Sequence, residues 1–465
     1  MRPSFHDCGE ELIPFRHRAI VVGGGIAGLV AAQVLSRRFD SVTLVERDTP
    51  STEPGPRPGV PQSRHCHLLL LRGQQVMNDM FPGLDSELRA RGAESMDWIA
   101  DFAMFWHGRW VPRFQSGLTG HCSSRDLLEL VLRERVTRIP NITFVPGHEV
   151  TGLLREAEAV RGVRVRARDG GRTDVLGGDF VVDASGRRSR APQWLEALGY
   201  PLPEESVVDS HTGYASRLFE PPPGASHGWK VLVVRSHAPS SRAAGIYPME
   251  GRWLVTLTGV AGDAPDPTER GFDEFLRTLP DPAIGAALQG ARPLGPVTGF
   301  RGAATVWRHY ERLRRNPDGF VLLGDAFCSF NPVYAQGMTL AVLGAQVLDQ
   351  HLIAQRSRGT GLSGLAPRFH RQLGEITKSA WLMATSEDFR YPTTTGERPS
   401  SGVRLVQAYM NLVIEGMRER PSLFRNMVEV AQMLKPPQSL FQPEVLANTL
   451  LPAVKRAAAA SFPPS

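Results

Sequence analysis

The chain has 465 residues, enough for two or three domains and a large core, and its 42% hydrophobic content is that of an ordinary globular protein. Its 53 Lys+Arg against 47 Asp+Glu leave a net charge of +6, but the arginines are scattered and no basic run interleaves with aromatics, so nucleic acid is not an expected partner. No apolar run approaches the ~18 residues of a membrane helix, and Met1–His17 is polar without the apolar core of a secretory signal, so a cytoplasmic protein is expected. Cys8, Cys66, Cys122 and Cys328 are isolated. His65 and His67 flank Cys66 with no further ligand nearby, so no metal is expected.

In chain order, residues 1–17 read as a tail. Ala19–Val22 is a short β run, followed by Gly23, Gly25 and Gly28 in the pattern G-x-G-x-x-G. Ile26 and Ala27 open a helix that continues through Leu29 to Leu35. A second β run, Val42–Val45, ends at Glu46, 18 residues beyond Gly28. This is the order of a dinucleotide site. Gly23 makes the tight turn, Gly25 lets backbone approach a pyrophosphate, and Gly28 lets helix sit close to strand. The helix N-terminus offers free N–H groups to phosphate, and Glu46 suits ribose hydroxyls.

Residues 49–63 carry five prolines and two glycines and read as a loop, leading to Arg64-His-Cys-His67 and a helical run from Leu68 to Met80. The aromatics from Trp98 to Phe114, Phe105 and Trp106 among them, read either as core or as the wall of an apolar pocket. Ser123–Asp126 caps a helix, with Arg125 in its first turn. Asn141–Val145 is a strand. Glu149–Leu154, Val160–Arg168 and Thr173–Leu176 form an antiparallel meander. Phe180–Asp183 ends in an acid before Gly186 and returns to a parallel sheet.

From Glu204 to Thr305, short alternating runs suggest a separate antiparallel sheet that roofs a substrate, with Tyr214, Tyr247 and Trp253 as pocket candidates. Phe320–Leu323 leads into Gly324 and Asp325, then Asn331–Met338 and a helix. The remainder is helical, broken by prolines. Its apolar residues, such as Val413, Met417 and Phe424, are expected to pack on the body rather than rest on a membrane. The expected organisation is α/β (α+β overall): a tail 1–17, a Rossmann-like dinucleotide domain 18–203 completed by 306–364, the inserted antiparallel sheet 204–305, and C-terminal helices 365–465.

Together, the glycine fingerprint, Asp183-Ala-Ser-Gly186 and Gly324-Asp325 with Asn331-Pro332 resemble the single-component flavin monooxygenases related to para-hydroxybenzoate hydroxylase. The resemblance covers residues 18–395. Gly59–His67, Gly324–Pro332 and Ala384–Pro392 look most similar to bacterial polyether-type epoxidases. The resemblance implies bound FAD. Gly23, Gly25, Ile26, Ala27 and Gly28 would hold the pyrophosphate, Glu46 and Arg47 the adenosine end, and Val150 the adenine through its backbone. Arg64 and Arg125 would contact phosphate or ribityl, and Asp183, Gly324, Asp325, Pro332, Gly337 and Met338 would complete the flavin end. Ala335 departs from the family, which usually has glycine there.

The resemblance further implies NADPH or NADH as a transient hydride donor and O2 as co-substrate. Oxygen would pass through a flavin C4a-hydroperoxide to an alkene of an apolar polyketide- or terpenoid-like compound of secondary metabolism. No acid/base dyad shows in 204–305, in keeping with an alkene, so no catalytic side chain is named. The competing expectations are a phenol hydroxylase of the same fold, an alkene reductase of geranylgeranyl-reductase type, and a non-catalytic flavoprotein. A flavin halogenase is disfavoured because W-x-W-x-I-P is absent.

Overall fold

Five short apolar runs build the central sheet of the computed structural model, which describes residues 15–224, 227–398 and 401–451. The runs are Phe15–Val22, Phe39–Val45, Ile142–Val145, Phe180–Asp183 and Phe320–Leu322. All pair in parallel, in the spatial order third, second, first, fourth, fifth. Such strands are covered on both faces, which is why Val21, Val181, Val182 and Val321 are wholly buried and no polar alternation appears. The Ile26–Ser36 and Gly337–Arg358 helices share this core. Val22 is level with Val45 on one side and Asp183 on the other, so three carboxyl ends meet where the strand order reverses. That is where doubly wound sheets bind ligands. The meander is present as His148–Glu156, Ala159–Ala167 and Thr173–Gly177.

A second sheet has seven strands, in the order Arg292–Phe300, Gly213–Glu220, Arg252–Gly259, Arg242–Met249, Val231–Val234, Phe102–Trp106 and Arg109–Trp110. Five come from 204–305. The other two come from the aromatic stretch, and Phe102–Trp106 runs parallel to Val231–Val234. That stretch hid its strand because both faces are covered, so aromatic and small apolar residues alternate with no polar position between them.

The period of two divides this sheet into faces. The far face carries Ala103, Phe105, Phe219 and Trp253 against Phe272 and Phe275 of the Glu269–Arg277 helix. The near face carries Met104, Trp106, Tyr247 and Leu254. It packs on Cys66, Leu68 and Trp98, and on Val413, Met417 and Phe424 of the Ser401–Gly416 and Pro421–Ala431 helices and the turn between them. The C-terminal helices therefore pack on the body. No helix among the described residues is long and apolar enough to cross a membrane. Residues 1–14 of the expected tail, with Cys8, lie outside the described residues, and residues 15–17 open the first strand.

Candidate functional site

A cleft of about 430 Å³ opens at the reversal point of the parallel sheet. Gly23, at φ +99°, turns the chain off the first strand, and its N–H donates to Val45 O at 2.8 Å. A Cβ on Gly28 would lie 1.7 Å from Gly23 O, so Gly28 serves helix–strand contact and does not line the cleft. Gly25 does line it and caps the Ile26–Ser36 helix, whose first N–H groups have no side-chain cap. Two guanidinium groups converge over Gly25. A Cβ there would meet Arg57 Nη2 at 3.5 Å and Arg125 Nη2 at 3.9 Å. Ile26 and Ala27 line the same wall.

Glu46 lies at the second strand's end. Its Oε2 accepts from Gly24 N–H at 2.6 Å and its Oε1 from Asp48 N–H at 2.8 Å. Arg57 contacts Glu46 at 3.1 Å, Asp48 at 3.0 Å and Glu129 at 2.6 Å. Burial opposes its charge, but these carboxylates outweigh burial and hold it protonated. Arg57 is the residue that sequence reasoning missed. Its signal was a lone cation between Pro56 and Pro58, in the loop just after Glu46. Arg64 is corrected by it: Arg64 ends the Pro61–Arg64 turn, exposed and off the wall. Arg47, Arg125 and Val150 line the cleft. Arg125 opens its helix behind the Ser124 cap, and its Nε is buried without a partner.

At the other end, Asp183 and Gly324 stand behind the cleft rather than in its wall. Asp183 is wholly buried, accepts from Ser185 N–H at 2.9 Å and from Ser189 Oγ, and so shapes the turn whose Ala184–Gly186 backbone lines the cleft. Gly324, at φ +64°, packs against Ala27. Asp325, Pro332, Gly337 and Met338 line the cleft. Burial raises the Asp325 pKa against the pull of Arg187 and Arg125. Ala335 takes φ +54°, the left-handed conformation that glycine adopts without strain. Next to it, Gln336 Oε1 is buried and unpartnered at the start of the Gly337–Arg358 helix.

The pocket candidates divide by face. Phe105 and Trp253 lie on the far face, packed in its core, because their register parity turns them away from the cleft. Tyr247 and Trp106 lie on the near face. Tyr214 is buried and structural: its hydroxyl donates to Asn331 Oδ1 and accepts from Val333 N–H at 3.1 Å. Beside it, His65 Nδ1 meets Ser216 Oγ at 2.8 Å, and His65 Nε2 is buried without a partner. Burial lowers His65 to about 4 and His67 to about 3, so both are neutral near pH 7. His67 lines the cleft and donates from Nδ1 to His65 O at 2.9 Å, which leaves its Nε2 as an acceptor.

A dyad lies outside 204–305. Tyr334 donates to Asp388 Oδ1 at 2.7 Å, and Asp388 Oδ2 is buried without a partner. Burial pushes Asp388 up to about 6. No group of three or more metal-ligating side chains gathers among the described residues.

These residues fit FAD. A cradle without Cβ, two arginines over it, a carboxylate in the cleft wall and an unpartnered acceptor at a helix start meet the needs of pyrophosphate, sugar and a flavin N–H in turn. Comparison with known proteins agrees. The family model described as FAD binding domain matches residues 16–376. Protein Rv3254 of Mycobacterium tuberculosis (strain ATCC 25618 / H37Rv) is 35% identical over 401 residues, 82% of each chain. Kynurenine 3-monooxygenase of Salinispora arenicola is 26% identical over 374 residues, 75% of each. Squalene monooxygenase of Mus musculus is 25% identical over 337 residues, 70% of this chain and 52% of that protein. Among solved structures, the flavin-dependent brominase Bmp2 superposes with a TM-score of 0.67 at 12% identity, covering 95% of this chain and all of that one, a likeness of fold.

Proposed function

This chain belongs to the family described as FAD binding domain, and from that premise we propose that it is an NAD(P)H-using monooxygenase that epoxidises an alkene of an apolar substrate. The observation that carries the reading is the pairing of the cleft with a near face of apolar side chains. Leu68 belongs to both, lining the cleft and packing in the cluster with Met104, Trp106 and Leu254. Relatives named for kynurenine and squalene oxygenation support the reaction class.

FAD supplies the redox chemistry when bound. The chain's own residues do the rest. Gly25, Arg57 and Arg125 would hold the pyrophosphate, and Glu46 and Asp325 the sugar hydroxyls. The first N–H groups of the Gly337–Arg358 helix would be offered to the flavin, and their dipole would favour negative charge there. The apolar near face, closed by the C-terminal helices, keeps water from the reacting oxygen. An alkene needs no base, and neutral His65 and His67 add no charge to the chamber.

One observation favours a second reading, hydroxylation of a phenol. The Tyr334–Asp388 pair, with a carboxyl near 6, has the proton affinity of a base poised for work near neutrality. Labelled O2 with a panel of polyenes and phenols decides between the two. Label in an epoxide, with turnover retained in Asp388→Asn, is the expected result. Label only in a catechol, abolished in Asp388→Asn, transfers the assignment to hydroxylation, and NAD(P)H oxidation without label in any product sinks both.

A further inference from the structure

A basic cluster lies at the edge of the near face, outside the cleft. The rings of His107 and His237 stack with centroids 3.8 Å apart and planes 18° from parallel. Arg235 sits over the ring of Trp106, 4.7 Å from its centroid. Arg418 Nη2 donates to His107 O at 3.0 Å. Arg390 donates from Nε to Glu387 and from Nη1 to Asn411 Oδ1, both at 3.0 Å, while its Nη2 is buried with no partner. Four separate segments contribute: the turn after Phe102–Trp106, the end of Val231–Val234, the turn after the Leu365–Asp388 helix, and the turn after Ser401–Gly416.

Glu387 pairs with Arg390 through Nε alone, at 2.9 Å, and leaves Arg390 Nη2 without an acceptor. Burial and the neighbouring His237, Arg390, Arg418 and Arg235 hold His107 down to about 4, so the stacked rings are neutral and the excess positive charge rests on the guanidiniums. A buried donor without an acceptor is rare in folded proteins and calls for a reason. A bound anion supplies one: it gives Arg390 Nη2 its acceptor, and Arg418, bonded to His107 O, and Arg235, over Trp106, offer two more forks suited to planar oxygen groups. The cluster also borders the chamber, since Trp106, beneath Arg235, packs on the near face in the same cluster as Tyr247.

We propose that Arg235, Arg390 and Arg418, set around the His107–His237 stack, form a binding site for a carboxylate or phosphate group. Its carrier is either the molecule to be oxidised, which would then be an acid with an apolar body, or the 2′-phosphate of NADPH. Only the choice of carrier rests on the oxygenase reading; the anion site stands on the cluster itself.

The test uses the FAD-loaded full-length protein, with Trp106 as a fluorescent reporter beside Arg235 and calorimetry as a second readout. Two matched pairs are titrated: decanoate against decanol, and 2′-phosphoadenosine 5′-diphosphate against adenosine 5′-diphosphate. In one pair, the member with the added carboxylate or 2′-phosphate is expected to bind about tenfold or more tightly than its counterpart, the scale of a hydrogen bond to a charged group. Arg235→Gln and Arg390→Gln should each erase that preference while FAD content and melting temperature hold, and Arg418→Gln stands in if either fails to fold. Preference for decanoate assigns the site to the substrate, and preference for the 2′-phosphate assigns it to the dinucleotide. Equal binding within both pairs, or a preference that survives all three substitutions, overturns the proposal. Protein that shows the anion preference but oxidises no NAD(P)H keeps the site and loses the oxygenase reading.

Discussion

An alanine at position 28 would put its Cβ 1.7 Å from Gly23 O, a backbone atom that cannot retreat without moving the first strand. An alanine at position 25 would meet only side-chain ends, those of two arginines, at 3.5 and 3.9 Å. The two substitutions should therefore fail differently. Gly25→Ala is expected to fold with apoprotein stability within ~0.5 kcal/mol of the parent, the usual range for a change with no steric conflict, yet to lose flavin absorbance on desalting. Gly28→Ala should not yield folded protein. Finding flavin retained in Gly25→Ala would contradict the pyrophosphate assignment. At Asp388 the prediction concerns pH. Its pKa of about 6 in the folded chain exceeds the ordinary ~3.9, so the folded state holds the extra proton between those values. That contribution to stability is complete below about pH 4 and disappears as pH rises through about 6, amounting to ~1–3 kcal/mol. Urea unfolding at pH 4.5 and 7 should show this fall in the parent and a flatter profile in Asp388→Asn.

At the scale of single elements, the motif strands and their glycines were legible because a buried parallel strand ending in a tight turn leaves a distinct run of residues. The meander and most of the second sheet were legible from alternation and turn residues. Phe102–Trp106 was not, because aromatic and small apolar residues suit two covered faces and resemble a core stretch of any kind. The side to which Phe105 and Trp253 point depends on pairing register, which residue types alone do not reveal. The loop 49–63 was legible as a loop, but its anchor was not. Arg57 touches Glu129, 72 residues away, and no local pattern reports such a contact. Replacing Arg57 with Met should cost ~3–5 kcal/mol, the toll of leaving buried carboxylates without their cation. Thermal melting would register it, and a loss below ~1 kcal/mol would show that water reaches the three acids.

Across the whole molecule, the chamber exists because three parts of the chain that are distant in sequence meet. The cleft comes from the two halves of the parallel sheet, the roof from the second sheet, and the closure from the C-terminal helices. Phe424, buried against the roof with its ring set T-shaped to that of Phe114, is part of that closure. Phe424→Ala should lower stability by ~3–5 kcal/mol through the cavity it leaves. It should also raise the hydrogen peroxide released per NAD(P)H consumed, because water then enters the near face. A stable variant with unchanged peroxide yield would mean that these helices do not seal the reaction. Tyr334–Asp388 belongs to this scale as well: the two residues lie 54 positions apart, and only the folded chain makes them a pair.

The parallel junction between Phe102–Trp106 and Val231–Val234 has a practical corollary. A gene fragment spanning only 204–305 would carry the roof without its neighbouring ribbon. Val-Leu-Val-Val, four residues with no exposed side chain in the intact protein, would then become a bare margin with its amide row open to any passing chain. Such a fragment should precipitate or polymerise when expressed, and adding residues 98–112 in trans, as a synthetic peptide, should suppress the deposit by docking along that margin.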